Sequence, residues 1–272
     1  MTLNDLKKLS GTLGRSEKIP VLFVGHGNPM NAITDNIYSK TWKAIGEKLT
    51  VPKAILCVSA HWLTTGTAVT MVDQPKTIHD FGGFPKELFA VQYPAPGAAD
   101  YAKMAIESVK STMVHEDFEW GLDHGAWSVL MHLYPKANIP VFQMSIDYAK
   151  SPQYHFNLAT ELSELRSKGI MIVASGNVVH NLGLLSWDGS IKAYDWAVEF
   201  DMLVKKSIEE NNPVPLIEYQ KLGKLAALAH PTNDHYLPLM YALGLRDKTD
   251  DFHFFNDMMD MGSLSMRSVL FK

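Results

Sequence analysis

The sequence predicts a single-domain α/β fold with a central sheet, mostly parallel or mixed, flanked by helices. Three short apolar runs, residues 21–24, 54–59 and 170–175, support this prediction. Each run is bounded by turn-forming residues and has the length of a buried strand. Helical periodicity over residues 36–49 lies between the first two runs. Strand, helix and strand in this order form a βαβ unit with a parallel pair of strands.

The rest of the chain alternates predicted helices with short strands and ends in one or two predicted edge strands. Further helices are predicted over residues 98–111, 123–134, 152–168, 187–210 (helical after the first turn of this segment), 214–228 and from 237 onwards. Further strands are predicted over residues 68–72, 141–146 and within 252–270. Residues 74–97 contain several glycines and prolines, and this pattern predicts a long loop. A loop of this length inside a compact domain is usually functional. Residues 1–18 are predicted to be a flexible N-terminal arm, and residues 19–272 a single α/β domain.

Composition excludes several classes of protein. The formal net charge of -4 gives no basic surface, so nucleic acid is not an expected partner. No apolar run approaches the ~20 residues of a membrane span, and the N-terminus lacks the apolar segment of a signal peptide. The single cysteine, Cys57, excludes an intrachain disulfide and fits a reducing compartment. We therefore expect a cytoplasmic protein, monomeric or a small homo-oligomer.

Histidines follow the predicted core strands. His26, His61 and His180 come at or soon after the ends of the three apolar runs, and His235 lies in a loop that begins a helix. Ligands of α/β sheets bind beyond the carboxyl ends of the strands, where these side chains can converge. Imidazole is a good ligand for zinc or iron(II), so the pattern favours a divalent metal site. The alternative for any one of these histidines is an ordinary hydrogen-bonded or solvated side chain.

Two further histidines have competing interpretations. His124 follows Asp123, a plausible N-cap, and the helix dipole there disfavours the cationic ring. A neutral imidazole can serve as a general base, whereas the alternative is a simple capping histidine. His79 could line a substrate pocket, but the residues alone favour a loop-packing histidine paired with Asp80.

Seven motifs in order extend this pattern over nearly the whole chain, from about residue 20 to residue 266. They are GHGNPM at 25–30, SAHW at 59–62, HDFGGFP at 79–85, YPAPG at 93–97, LDHGAW at 122–127, SGNVVHN at 175–181 and PTNDHYLP at 231–238. Together they resemble the 4,5-DOPA extradiol dioxygenase family. That family belongs to the class III extradiol ring-cleaving dioxygenases, related to the catalytic subunit of protocatechuate 4,5-dioxygenase.

The resemblance implies an α/β catalytic domain that uses O₂ and one divalent metal per chain to open a catechol such as 4,5-DOPA. The metal positions of the family fall on His26, His61, His180 and His235. The acid/base histidine of the family falls on His124. The loop that carries His79, Phe81 and Phe84 is expected to supply an aromatic wall for the substrate ring.

The identity of the metal is a separate question, because iron(II) oxygenases typically use two histidines and one carboxylate. An all-histidine set also suits zinc, which has no redox chemistry. The resemblance implies Zn²⁺ as the metal bound and Fe²⁺ as the working metal, with O₂ as co-substrate. Two alternatives stay open at this point: a zinc-dependent hydrolase on the same scaffold, and a metal-binding protein without catalysis.

Overall fold

A six-stranded mixed sheet forms the centre of the computed structural model, which describes residues 18–272. Its strands are β1 (Val21–Gly25), β2 (Ala54–Ser59), β6 (Val141–Gln143), β8 (Ile170–Gly176), β9 (Phe252–Phe255) and β12 (Ser268–Phe271). They lie in the order β6-β2-β8-β1-β12-β9. The first four run parallel, whereas β12 is antiparallel to both β1 and β9.

The remaining strands form three small pairs outside the central sheet. Strands β3 (Leu63–Thr64) and β7 (Ile146–Asp147) are parallel, as are β4 (Thr67–Thr70) and β5 (Val114–Asp117). Strands β10 (Met259–Asp260) and β11 (Leu264–Ser265) form an antiparallel pair.

Helices cover both faces of the central sheet. They are α1 (Ile37–Gly46), α2 (Lys86–Phe89), α3 (Ala99–Ser108), α4 (His124–Leu133), α5 (Pro152–Glu161), α6 (Glu164–Ser167), α7 (Asp195–Glu209), α8 (Val214–Ile217), α9 (Lys224–Ala229) and α10 (Leu237–Leu245). Three short 3₁₀ helices span Pro29–Ala32, Leu182–Leu184 and Tyr219–Leu222.

The core has two halves because side chains of a strand alternate between the faces of its sheet. Val21 and Phe23 of β1 pack in the half that includes α3, α5, α7 and α10. Leu22 and Val24 pack in the other half, with α1 and α4. Since all seven residues of β8 are buried, this strand is covered on both sides, as expected of a central parallel strand. The predicted fold class, α/β with a mixed sheet flanked by helices, is confirmed.

Several predicted elements differ in detail. One or two edge strands are predicted within residues 252–270, and β9 does lie at the edge, but β12 lies inside the sheet, between β1 and β9. The predicted helix over 187–210 begins only at Asp195. The predicted helices over 152–168 and 214–228 are each broken into shorter segments. These differences arise at turns that tertiary contacts impose and that local periodicity does not encode.

The predicted N-terminal arm, residues 1–18, lies outside the described residues except for Lys18, which forms an ion pair with Asp247. Within residues 18–272, no helix combines the length and hydrophobicity that crossing a membrane requires.

Candidate metal centre

Three adjacent strands bring histidines to one edge of the sheet. His26 directly follows β1, His61 comes two residues after β2, and His180 comes four residues after β8. Since β2, β8 and β1 are neighbours and parallel, their carboxyl ends open onto the same crevice. His235 joins them from the loop before α10, where its carbonyl accepts a hydrogen bond from the Asn177 backbone amide.

His26 and His61 make the closest approach in this cluster. Their Nε2 atoms lie 3.1 Å apart, and the ring centroids are separated by 5.1 Å. The ring of His235 lies 5.2 Å from that of His26 and 4.9 Å from that of His61. These three rings, which come from distant parts of the sequence, therefore face a common point.

Polar partners behind the rings determine which nitrogen carries the proton. The Ser175 hydroxyl donates to the Gly125 carbonyl (2.6 Å), so it accepts from His26 Nδ1 (3.0 Å). Nδ1 of His61 lies 3.2 Å from an Asp80 carboxylate oxygen, and Nδ1 of His235 lies 3.1 Å from Asp234. With the proton on each Nδ1, each Nε2 presents its lone pair to the centre of the cluster.

Burial keeps these rings neutral. Together with nearby His124, it lowers the pKa of His61 to about 3 and that of His180 to about 4. Burial and the neighbouring imidazoles also hold the pKa values of His26 and His235 well below 6.5. Neutral imidazole is the form that binds a metal ion.

The residues present fit a divalent cation. Two lone pairs that face each other across 3.1 Å repel unless a positive charge lies between them. Nitrogens that share a tetrahedral metal at typical Zn–N lengths lie about 3.3–3.4 Å apart, close to the observed distance. Imidazoles held by a carboxylate or hydroxyl on the far nitrogen are typical of metal sites.

A second group of possible ligands adjoins the first. His180, Asp234 and His235 have ligand atoms that all lie within 4.8 Å of one another. The rings of His180 and His235 stack, with centroids 3.5 Å apart and planes inclined by only 4°. The structure thus brings the four histidines predicted as metal ligands into one cluster, while their binding of metal stays a prediction.

His124 lies beside the same cluster at the first position of α4. The preceding residue, Asp123, caps this helix by accepting from the backbone amide of Ala126, as predicted. The ring of His124 lies 3.9 Å from that of His61, and its possible ligand atom is grouped with those of His26 and His61. The geometry allows His124 to act next to the metal position or to bind there, so its predicted acid/base role stays a prediction.

A glycine allows the close approach of α4 to the β2 end. A Cβ atom at Gly125 would lie 2.4 Å from the Ser59 hydroxyl and 2.9 Å from the His61 ring. Any larger residue at this position would displace the His61 side chain.

Aromatic side chains of the loop over residues 74–97 stand against His124. The Phe81 ring lies 5.4 Å from the rings of both His124 and Phe84. His79 lies 5.8 Å from Phe81, and its Nε2 is 3.0 Å from the Val91 carbonyl. The interpretation that His79 pairs with Asp80 is therefore wrong, because Asp80 contacts His61 and His124 instead.

The comparisons with known proteins agree with this geometry. Residues 20–262 match the family model described as the catalytic LigB subunit of aromatic ring-opening dioxygenase. The chain belongs to this family.

Similarity to known proteins extends over nearly the full chain. The sequence is 46% identical over 258 residues to a 4,5-DOPA dioxygenase extradiol of Escherichia coli (strain K12), covering 93% of this chain and 95% of that protein. It is 34% identical to a 4,5-DOPA dioxygenase extradiol of Beta vulgaris, covering 92% and 95%. A crystal structure of an uncharacterized protein from Escherichia coli K12 superposes with a TM-score of 0.83 at 42% identity, covering 94% and 100%. The resemblance to the extradiol dioxygenases is confirmed, and this LigB-family chain is an aromatic ring-opening dioxygenase.

Sequence reasoning missed the residues that hold the imidazoles of this LigB-family centre from behind. The sequence predicts Asp80 only as a partner of His79, and it predicts no contact between Ser175 and a histidine. Asp80 lies 19 residues after His61 and 44 before His124, so no local spacing links it to either ring. The signal that could have found it is its place in the HDFGGFP motif.

Proposed function

We propose that this chain is an extradiol dioxygenase that uses O₂ and a histidine-bound divalent metal to open a catechol ring, with 4,5-DOPA (L-DOPA) as the model substrate. The observation that carries the proposal is the 3.1 Å approach of His26 Nε2 to His61 Nε2, with His235 and His124 around them. Membership of the ring-opening family favours this activity over a zinc hydrolase or a protein without catalysis. Domain bounds of 19–272, a cytoplasmic location and a monomer or small homo-oligomer are part of the same proposal.

His26, His61, His180 and His235 would hold the metal. Zn²⁺ suits the all-histidine set, whereas Fe²⁺ is the ion we expect in the working enzyme because zinc has no redox chemistry. When bound, the metal supplies positive charge that acidifies the catechol hydroxyls and a template that orients the reactants. Asp234 adds a carboxylate beside His180 and His235 that offsets part of this charge.

His124 is our candidate for the general acid and base. Its Nδ1 donates to Asp80 Oδ2 at 3.0 Å, which leaves Nε2 free to take a proton from a catechol hydroxyl. The imidazolium that forms is stabilised by the Asp80 carboxylate. The same nitrogen can return the proton at a later stage of ring opening.

Phe81, Phe84 and His79 would bind the substrate ring. The edge-on packing of Phe81 against His124 places an apolar surface next to the proposed base. Aromatic rings in such arrangements attract one another beyond the effect of buried area alone. This wall would also exclude water from the reacting groups.

The decisive experiment is metal analysis followed by anaerobic reconstitution with Fe²⁺ and aerobic incubation with a panel of catechols. O₂ consumption with formation of a yellow ring-opened product is expected, and Zn²⁺-loaded protein should be inactive. His26→Ala serves as the variant that lacks a proposed ligand, and His115→Ala, at an exposed histidine on β5, is the matched control. A colourless mixture without O₂ uptake across the whole panel would contradict the proposal.

A further inference from the structure

One carboxylate lies behind two histidines of the centre. Asp80 sits in the loop between β4 and α2, and its Oδ2 atom is 3.0 Å from His124 Nδ1 and 3.2 Å from His61 Nδ1. Its other oxygen accepts from the His124 backbone amide at 2.9 Å. Three nitrogens from two separate segments therefore converge on this one side chain.

The Asp80 carboxylate can only accept a hydrogen bond from His124 Nδ1, which therefore carries a proton. A lone pair on His61 Nδ1 would be repelled by the carboxylate oxygen 3.2 Å away, so the proton of His61 is also favoured on Nδ1. The Nε2 atoms of His61 and His124 are then left with their lone pairs. The two rings lie 3.9 Å apart between centroids, close enough that rotation of either one would strike the other. Asp80 thus controls both the tautomer and the orientation of a pair of imidazoles.

The loop position gives Asp80 a second connection. Its neighbour Phe81 packs on the His124 ring, and Phe81 also contacts Phe84 and Phe89. The same stretch of backbone therefore positions both the aromatic wall and the Asp80 carboxylate.

We propose that Asp80 is a positioning residue that fixes the Nδ1–H tautomer of His61 and His124 together, so that a metal-facing and a substrate-facing imidazole are oriented by one side chain. The roles of the two rings rest on the proposed function, whereas the coupling between them does not. Loss of the carboxylate should release at least one ring, because an amide has only one acceptor oxygen where Asp80 uses one oxygen for the two rings and the other for the His124 backbone amide. Partners of this kind typically contribute 10- to 100-fold to metal affinity.

The test compares the full-length wild type with Asp80→Asn, Asp80→Glu and the control Asp73→Asn, which makes the same charge change at an exposed residue of the same loop. Two-bond ¹H–¹⁵N spectra of metal-free protein report the imidazole tautomers, with His61 and His124 assigned from single substitutions. Competition with a chromophoric chelator gives the Zn²⁺ dissociation constant. Circular dichroism and thermal unfolding establish that each variant is folded.

We expect Nδ1–H tautomers for both rings in the wild type and in Asp73→Asn. In Asp80→Asn, at least one ring should lose that pattern, and Zn²⁺ affinity should fall about 10- to 100-fold. Asp80→Glu, which keeps an acceptor on a longer side chain, should lie between the two. If Asp80→Asn does not fold, the comparison of Asp80→Glu with wild type decides, since perturbed rings with weaker Zn²⁺ binding are then expected.

Unchanged tautomers and an unchanged Zn²⁺ dissociation constant in the folded variants would overturn the inference. Because neither measurement uses a catechol or O₂, its outcome is independent of the proposed function. If the wild type were inactive but the Asp80 variants showed the expected changes in tautomer and Zn²⁺ affinity, the dioxygenase proposal would fall and the role of Asp80 would stand.

Discussion

His180 and His235 stack face to face, with ring centroids 3.5 Å apart and planes inclined by 4°. One ring follows strand β8, and the other precedes helix α10. Backbone hydrogen bonds link the same two parts of the chain. The Asn177 amide donates to the His235 carbonyl, and the His180 amide donates to the Ala229 carbonyl. Two charged imidazolium rings would repel at this distance, so the stack depends on both rings staying neutral.

The substitution His235→Phe tests whether His235 binds metal while an aromatic ring is kept in the stack with His180. The phenyl ring can still pack on His180, but it offers no nitrogen to a cation. A ligand held at 100 times its dissociation constant stabilises the wild type by about 2.7 kcal/mol, and this gain should disappear in the variant. Thermal unfolding with and without Zn²⁺ measures the difference, and His115→Phe should behave as the wild type. If Zn²⁺ raised the Tm of His235→Phe as much as that of the wild type, His235 would not be a metal ligand.

The strand-end histidines illustrate what the sequence could predict. Short apolar runs and turn residues located β1, β2 and β8, and the common edge of parallel strands then implied convergence of His26, His61 and His180. The interior place of β12 was not predictable, because antiparallel pairing with β1 depends on contacts between residues about 250 positions apart. The Asp80 contacts escaped prediction for the same reason: a hydrogen bond between distant loops leaves no periodic signal.

Metal-free protein should lose stability as the pH falls below neutral. Burial lowers the pKa of His155 to about 4 and that of His230 to about 3, whereas an unfolded histidine titrates near 6.5. Between pH 6.5 and about 4 the unfolded chain binds more protons, so the free energy of unfolding decreases toward acid. Each such histidine contributes up to about 1.4 kcal/mol per pH unit.

Urea denaturation between pH 5 and pH 8 measures this dependence. His155→Phe removes one of the histidines with a lowered pKa and should reduce the slope below pH 6.5, with little change in slope above pH 7. An equal slope in the variant and the wild type would show that His155 does not contribute to the acid sensitivity.

His124→Gln should separate catalysis from metal binding. Glutamine keeps a hydrogen-bonding side chain near Asp80 but cannot exchange a proton near neutral pH. General acid–base catalysis typically contributes 10²- to 10⁴-fold, so we expect kcat to fall by about that factor with a smaller change in KM. Steady-state O₂ uptake with Fe²⁺-loaded protein is the measurement. Wild-type kcat in the variant would identify His124 as a capping residue only, whereas loss of Zn²⁺ binding would identify it as a ligand.

The ion pair between Asp201 and Arg267 should be essential for stability. Both side chains are buried, and Arg267 Nη2 lies 2.6 Å from an Asp201 oxygen. Asp201→Asn leaves the Arg267 cation with only the exposed Asp257 carboxylate, 3.8 Å from Nη1, and breaking a buried ion pair in this way costs about 3–5 kcal/mol. Urea denaturation measures the cost, and Glu209→Gln, whose partner Lys205 lies 3.9 Å away at the surface, should cost at most about 0.5 kcal/mol. A loss below 1 kcal/mol in Asp201→Asn would contradict the prediction.

Phe81→Ala tests the aromatic wall. Removing the ring takes away the surface that packs edge-on against His124, and a stacked or edge-on aromatic contact contributes about 0.5–1.5 kcal/mol. We therefore expect KM for a catechol to rise roughly 2- to 13-fold, while Zn²⁺ affinity stays unchanged because Phe81 offers no ligand atom.

Phe118→Ala is the matched control, since Phe118 is 64% exposed and lies outside the aromatic wall. Its KM should equal that of the wild type. If Phe81→Ala and Phe118→Ala have the same KM, the substrate ring binds elsewhere in the crevice, and the assignment of His79, Phe81 and Phe84 to substrate binding falls. A higher KM in Phe81→Ala alone would instead place the catechol against the aromatic wall, beside the imidazole of His124 and within reach of the proposed base.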